Sequence, residues 1–93
     1  MSESEVVKIF TIKNKLGLHA RAAAVFVRLS SKFPCDVKIV KNGYEVDGKS
    51  ILGVLSLAAA KGSEIKVITM GEGSEKAMNE IVDLIESGFG EGI

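Results

Sequence analysis

The stretch that decides the fold class is CDVKIVKNGYEVD, residues 35–47. Apolar and charged residues alternate on both sides of Asn42-Gly43, as in two strands that each bury one face. Asn-Gly is the strongest short signal for a two-residue hairpin turn, because both turn positions take positive φ. Such a turn pairs Ile39 with Val46 and places both on one face of the hairpin. The fold therefore contains at least one antiparallel pair of strands.

Two stretches outside the hairpin also predict strands. Val6–Ile12 is rich in β-branched residues, and Glu64–Met70 alternates apolar with charged side chains. In the first of these, Val7 and Ile9 mark one face while Phe10 marks the other. This pattern predicts burial on both faces of the strand, or a bulge within it.

The first and third predicted helices each have a single apolar stripe. Residues 21–33 repeat apolar side chains at helical spacing, and Pro34 should end this helix because it disfavours the α region at the preceding residue. The third helix should begin at Ser74, as its N-cap, and end at Gly88. We expect residues 89–93 to form a loose tail.

The second predicted helix begins at Ile51, with Ser50 in a good N-cap position. It carries too many apolar residues for one narrow stripe. Part of it could be exposed, and a small exposed apolar patch is typical of a docking surface. Alternatively, the segment is buried or stops being helical after Ser56.

The predicted element order is β-α-β-β-α-β-α. Four short strands with amphipathic helices favour an α+β sandwich of two layers, with the helices on one face of the sheet and the other face open. A sheet that is antiparallel throughout is a prediction from the hairpin motif alone.

Composition limits the possible functions. The chain has 93 residues with 46% apolar and 26% charged side chains, which predicts one globular domain over 1–93. A formal net charge of zero and no Trp argue against nucleic acid as a partner. One Cys and one His cannot assemble a metal cluster, and no apolar run approaches the ~20 residues that span a bilayer. With a lone Cys35 and an acidic N-terminus, we expect a cytoplasmic protein.

The single histidine lies in the segment Gly17-Leu18-His19-Ala20-Arg21, between the first strand and the first helix. Backbone N–H groups at a helix start have no intrahelical partner, and the helix dipole favours an anion there. Arg21 adds a fork of donors that suits phosphate. His19 is therefore a candidate nucleophile beside an anion site, with a phosphoryl group as the candidate ligand. The alternative is an ordinary surface or core histidine.

Two segments resemble HPr, the histidine-containing phosphocarrier family of the bacterial sugar phosphotransferase system. NKLGLHARAA, residues 14–23, resembles the family's active-site segment, and GKSILGV, residues 48–54, resembles its regulatory-serine segment. The element order also matches the family's open-faced β-sandwich, a four-stranded antiparallel sheet with three helices on one face. The resemblance covers roughly residues 6–88.

The resemblance implies a phosphocarrier that is not an enzyme and that uses no cofactor or metal. His19 would take a phosphoryl group on ring Nδ1 from phosphorylated enzyme I and pass it to enzyme IIA domains for sugar uptake. Arg21 and the backbone N–H groups of Ala20 and Arg21 would hold the phosphate. Many family members have proline after the arginine, where this chain has Ala22. We expect some loss of rigidity at the site from this difference, without loss of function.

The second motif implies regulation and docking. Ser50 matches the serine that HPr kinase/phosphorylase modifies in some family members, although a capping role alone would also account for it. The expected docking residues for partner proteins are Ile51, Leu52, Leu55, Lys49 and Arg28. The alternatives are a regulatory, nitrogen-branch relative that signals metabolic state and an interaction domain that uses the second helix without phosphoryl chemistry. Nothing in the sequence demands more than a monomer.

Overall fold

We describe residues 4–91 from a computed structural model of the chain. The strands and helices follow one another along the chain in the predicted order, β-α-β-β-α-β-α. The elements are β1 (Glu5–Thr11), α1 (Ala20–Ser30), β2 (Asp36–Lys41), β3 (Tyr44–Asp47), α2 (Ile51–Ser56), β4 (Glu64–Met70) and α3 (Ser74–Glu86). Residues 4–91 include no helix with the length and apolar character needed to cross a membrane.

The four strands form one sheet in the order β1-β4-β2-β3, and every pair is antiparallel. The hairpin has the predicted register, since Ile39 lies opposite Val46. Asn42 takes φ +51° and Gly43 takes φ +81°, the pair of positive values that this turn requires. Both the α+β class and the antiparallel sheet are therefore confirmed.

The two faces of the sheet differ sharply in exposure. Phe10, Ile39 and Val67 are at most 5% exposed on the side that the helices cover. On the opposite side of β1, Val7 is 47% exposed and Ile9 is 62% exposed. The expectation of burial on both faces of β1, or of a bulge, was therefore wrong. Within residues 4–91 no layer covers the second face, and β1 pairs with β4 without a break.

Helix α1 ends earlier than the apolar stripe predicted. Its last residue is Ser30, whose hydroxyl donates to the carbonyl oxygen of Gly48 at 2.7 Å. The chain then tightens into short turns, in which the Phe33 N–H donates to the Ser30 carbonyl. Phe33 is only 9% exposed and still belongs to the core. The apolar stripe therefore predicted the burial of Phe33 correctly but not its helical conformation. Pro34 follows this turn and does not itself end the helix.

The cap of the third helix and the tail also differ from expectation. Gly73, with φ +80°, is the N-cap of α3, while Ser74 is its buried first residue and accepts a hydrogen bond from Thr69 through its carbonyl. The tail is not loose as far as residue 91, because Phe89 is 3% exposed and belongs to the core. Residues 92 and 93 of the predicted tail lie outside the described part of the chain.

Gly17 brings the loop before α1 against the chain that follows α2. The neighbouring Leu18 N–H donates to the Ala59 carbonyl oxygen at 2.8 Å. Gly17 has φ +68°, and a Cβ added there would lie 2.5 Å from that same oxygen and 2.9 Å from Ala60 Cα. Only glycine fits both the left-handed backbone and this approach.

We predict that Gly17→Ala lowers the free energy of unfolding by about 2 kcal/mol or more. The left-handed backbone alone costs a residue with a Cβ about 1–2 kcal/mol, and the backbone contact adds to this. Gly43→Ala is the matched control, since Gly43 is also left-handed but has open space around its Cβ position. Urea denaturation of both variants measures the difference, and equal losses would contradict a steric role for Gly17.

Candidate functional site

His19 is the N-cap residue of α1. Its backbone is extended, with φ −77° and ψ 179°, and its carbonyl oxygen accepts the Ala23 N–H at 2.9 Å. The imidazole makes no capping hydrogen bond to the helix, and 28% of the side chain is exposed. The sequence prediction that this histidine lies at a helix start, open to solvent on one side, is confirmed.

The first turn of α1 offers the groups expected of an anion site. The His19 side chain does not cap the helix, and the first turn of α1 contains no acidic residue. Backbone N–H groups at Ala20 and Arg21 precede the first intrahelical acceptor, so they have no partner within the helix. The Arg21 side chain is 69% exposed, while Ala22 is fully buried and packs into the core. The helix begins normally here without a proline.

Glu91 completes the surroundings of His19, and sequence reasoning missed it. One carboxylate oxygen, Oε2, lies 2.5 Å from His19 Nε2 and 3.8 Å from an Arg21 guanidinium nitrogen. The hydrogen bond with His19 is the largest cause that lowers the pKa of Glu91, and the Asn14 bond and the charges of His19 and Arg21 lower it further. Partial burial opposes these effects, since only 14% of the Glu91 side chain is exposed.

Asn14 holds the second oxygen of the same carboxylate. Its side-chain N–H₂ donates to Glu91 Oε1 at 3.1 Å and to the Gly17 carbonyl at 2.7 Å. Because both neighbours are acceptors, the amide must direct its nitrogen toward them. Asn14 is fully buried, and its Oδ1 has no hydrogen-bond partner among residues 4–91. The amide nitrogen thus joins Glu91 to the loop between β1 and α1, while the amide oxygen is left without a partner there.

The backbone after α3 explains how Glu91 reaches the histidine. Gly88, Phe89 and Gly90 all have positive φ, which curls the chain back over the end of the helix. The Phe89 N–H donates to the Leu84 carbonyl at 2.8 Å, and its ring is buried. A lone aromatic residue between two glycines was the one sequence signal that this tail packs against the core.

Ser50 caps α2 as predicted, accepting the Gly53 N–H at 3.1 Å. The preceding Gly48 is tied by its carbonyl to Ser30, at the C-terminal end of α1. His19 lies at the other end of α1, whose 11 residues span about 16 Å. The two residues that the sequence singled out are thus at opposite ends of α1 and do not meet.

The expected docking residues fall into two groups. Leu52 is 79% exposed and Ile51 43% exposed, whereas Leu55 is half-buried against the core. The helix ends at Ser56, so both an exposed face and an early end of α2 are confirmed. We call Ile51 and Leu52 the α2 patch.

The expected steering charges do not lie together. The Lys49 ammonium donates a hydrogen bond to the Phe33 carbonyl at 2.6 Å, in the turn that follows α1. Arg28 lines a shallow groove beside Leu84 of α3, and α2 contributes no residue to that groove. Within residues 4–91 no three His, Cys, Asp or Glu side chains are grouped as a metal site would need.

Comparison with known proteins agrees with this fold. Residues 6–87 match the family model described as "PTS HPr component phosphorylation site". The chain is 51% identical over 83 residues to the phosphocarrier protein HPr of Pseudomonas aeruginosa, covering 88% of this chain and 92% of that one.

Solved structures of HPr proteins have the same fold as this chain. A crystal structure of HPr-C-His from Thermoanaerobacter tengcongensis superposes with a TM-score of 0.88 at 44% identity, covering 97% of this chain and 99% of that one. A crystal structure of an HPr dimer from the same organism gives 0.75 at 46% identity, over 88% and 94% of the two chains.

The matching family model and the relatives define the class of protein as a phosphocarrier of the phosphotransferase system, not a catalytic enzyme. The chain belongs to the HPr family.

Proposed function

We propose that this chain accepts a phosphoryl group on His19 from phosphorylated enzyme I and passes it to enzyme IIA domains, for sugar uptake and phosphorylation. The observation that carries the proposal is the position of His19. It is a partly exposed imidazole at the uncapped start of α1, next to the exposed Arg21. We place this exchange in the cytoplasm, in a single domain that acts as a monomer; the HPr dimer of Thermoanaerobacter tengcongensis makes its oligomeric state worth measuring.

The transfer needs alignment and charge neutralisation more than acid–base catalysis. A ring nitrogen lone pair attacks phosphorus, the N–P bond forms, and the bond to the donor breaks with its electron pair leaving on the donor. The Arg21 guanidinium and the free N–H groups of Ala20 and Arg21 would hold the phosphoryl oxygens. Since Arg21 is largely exposed, these contacts hold the group without burying it, which suits a group that must leave again.

Intact mass after incubation with enzyme I and phosphoenolpyruvate tests this function. We expect one added phosphate that brief acid treatment removes, because a phosphoramidate is labile to acid. His19→Ala should abolish it while circular dichroism stays unchanged, since His19 is not in the core. No added phosphate with the source organism's own enzyme I would contradict the proposal and favour an interaction domain.

We also propose that the α2 patch is the docking surface for enzyme I and the acceptors. An exposed leucine buried in an interface contributes about 1.5–3 kcal/mol, so its loss should slow transfer roughly tenfold or more. We expect Leu52→Glu to slow phosphorylation of His19 by this amount at limiting protein concentration. Ile9→Glu is the matched control, because Ile9 is also exposed but lies in β1 on the open face. Equal rates for the two variants would argue against the α2 patch.

The third part of the proposal is regulation by HPr kinase/phosphorylase at Ser50. A phosphate there would lie at the start of α2 beside Ile51, and the neighbouring Gly48 contacts the end of α1 that is opposite His19. We therefore expect it to act on docking and not on the ring.

Two substitutions separate this role from capping. Ser50→Ala should lower the free energy of unfolding by about 1 kcal/mol, through the lost bond to Gly53, with little change in transfer rate. Ser50→Asp should keep the cap and slow transfer from enzyme I. Equal transfer rates for Ser50→Asp and the unsubstituted chain, measured by the same mass assay, would leave Ser50 a capping residue only.

A further inference from the structure

We propose that Glu91 is a positioning residue that holds the neutral His19 ring with its proton on Nε2, which leaves the Nδ1 lone pair free to attack phosphorus. This inference deepens the proposed function and rests on it for the reaction. Its structural part, the tautomer of the free protein, can be measured without any partner.

The tautomer follows from what a carboxylate can do. An ionised carboxylate only accepts hydrogen bonds, so the short 2.5 Å contact with Glu91 Oε2 requires a proton on Nε2. The lowered pKa of Glu91 keeps that carboxylate ionised at neutral pH. A neutral imidazole has one protonated nitrogen, and the other then carries the lone pair.

Asn14 fixes which oxygen faces the ring. Its N–H₂ group holds Glu91 Oε1 and is itself locked by the Gly17 carbonyl, so Oε2 is left for His19. This chain of bonds starts from a fully buried side chain. Among residues 4–91 the Glu91 carboxylate contacts the side chains of His19, Asn14 and Arg21, two of which can carry positive charge.

The same carboxylate suits the charge that forms during transfer. When Nδ1 bonds to phosphorus, positive charge spreads over the ring to the protonated Nε2. A carboxylate 2.5 Å away stabilises that charge through a charge-assisted hydrogen bond. Arg21 is only 3.8 Å from the same oxygen, so it neutralises Glu91 before transfer and is close enough to turn toward the incoming phosphoryl group.

The alternative to a positioning role is that Glu91 only stabilises the structure. Glu91 could simply pin the tail to the loop between β1 and α1, as Glu86 at the end of α3 is joined to Lys13 of that loop by an ion pair. Glu86 is therefore the matched control, since its substitution loosens the same junction without touching the ring.

Nitrogen-15 NMR of the free protein, at a pH where the imidazole is neutral, tests the tautomer. We expect the unsubstituted chain and Glu86→Gln to show predominantly protonated Nε2. In Glu91→Gln, Asn14 should still bind the side-chain carbonyl oxygen and so turn the new N–H₂ group toward Nε2. The proton should then move to Nδ1. Protonated Nδ1 in the unsubstituted chain, or the same spectrum for all three proteins, would overturn the proposal.

Transfer from enzyme I supplies the second readout. The rate should scale with the fraction of ring in the reactive tautomer, so Glu91→Gln should slow it at least about twofold while Glu86→Gln does not. An equal loss in both variants would mean that the tail acts only as a structural clamp. Failure of the unsubstituted chain to accept phosphate would overturn the proposed function and leave the tautomer result as it stands.

Discussion

The close approach of Gly17 to the chain after α2 is the constraint on which the site depends. A backbone with no Cβ lies against Ala59 and Ala60, where a methyl group would come within 2.5 Å of a carbonyl oxygen. The neighbouring hydrogen bond from Leu18 fixes the loop at that point. Helix α1 then starts at a defined place, with His19 as its N-cap residue. Loosening this contact would move the imidazole, the anion site and the Asn14 amide together.

Local sequence patterns predicted most of the strands and helices. The Asn42-Gly43 turn determined the register of β2 and β3, and strand β4 spans the predicted residues. The errors arose where tertiary packing decided the outcome. Phe33 extended the apolar stripe of α1 past its true end because a turn, not a helix, buries it. In β1, the apolar pattern on both faces did not reveal that one face lies open to solvent.

The residues of the site that lie in local motifs could be predicted from the sequence, but Glu91 could not. His19, Arg21 and Ser50 stand in contiguous motifs whose local geometry, a helix start, follows from sequence. Glu91 and His19 are 72 positions apart, and no local pattern relates two side chains at that distance. The positive φ at Phe89 adds to the difficulty, since a bulky residue rarely takes it without support from the surrounding packing. The contact exists because burial of that ring offsets the backbone cost.

The pairing of β1 with β4 has a consequence for the order in which the molecule takes shape. Glu5 lies opposite Met70, so the first strand made has no partner until most of the chain exists. The β2–β3 hairpin, by contrast, closes over a few residues. Such distant pairings slow folding relative to helical bundles, because loop-closure entropy is lost before the contacts form. The apolar side chains of β1 stay unpaired until β4 has been synthesised, and His19 gains its contact with Glu91 only after residue 91 has been added.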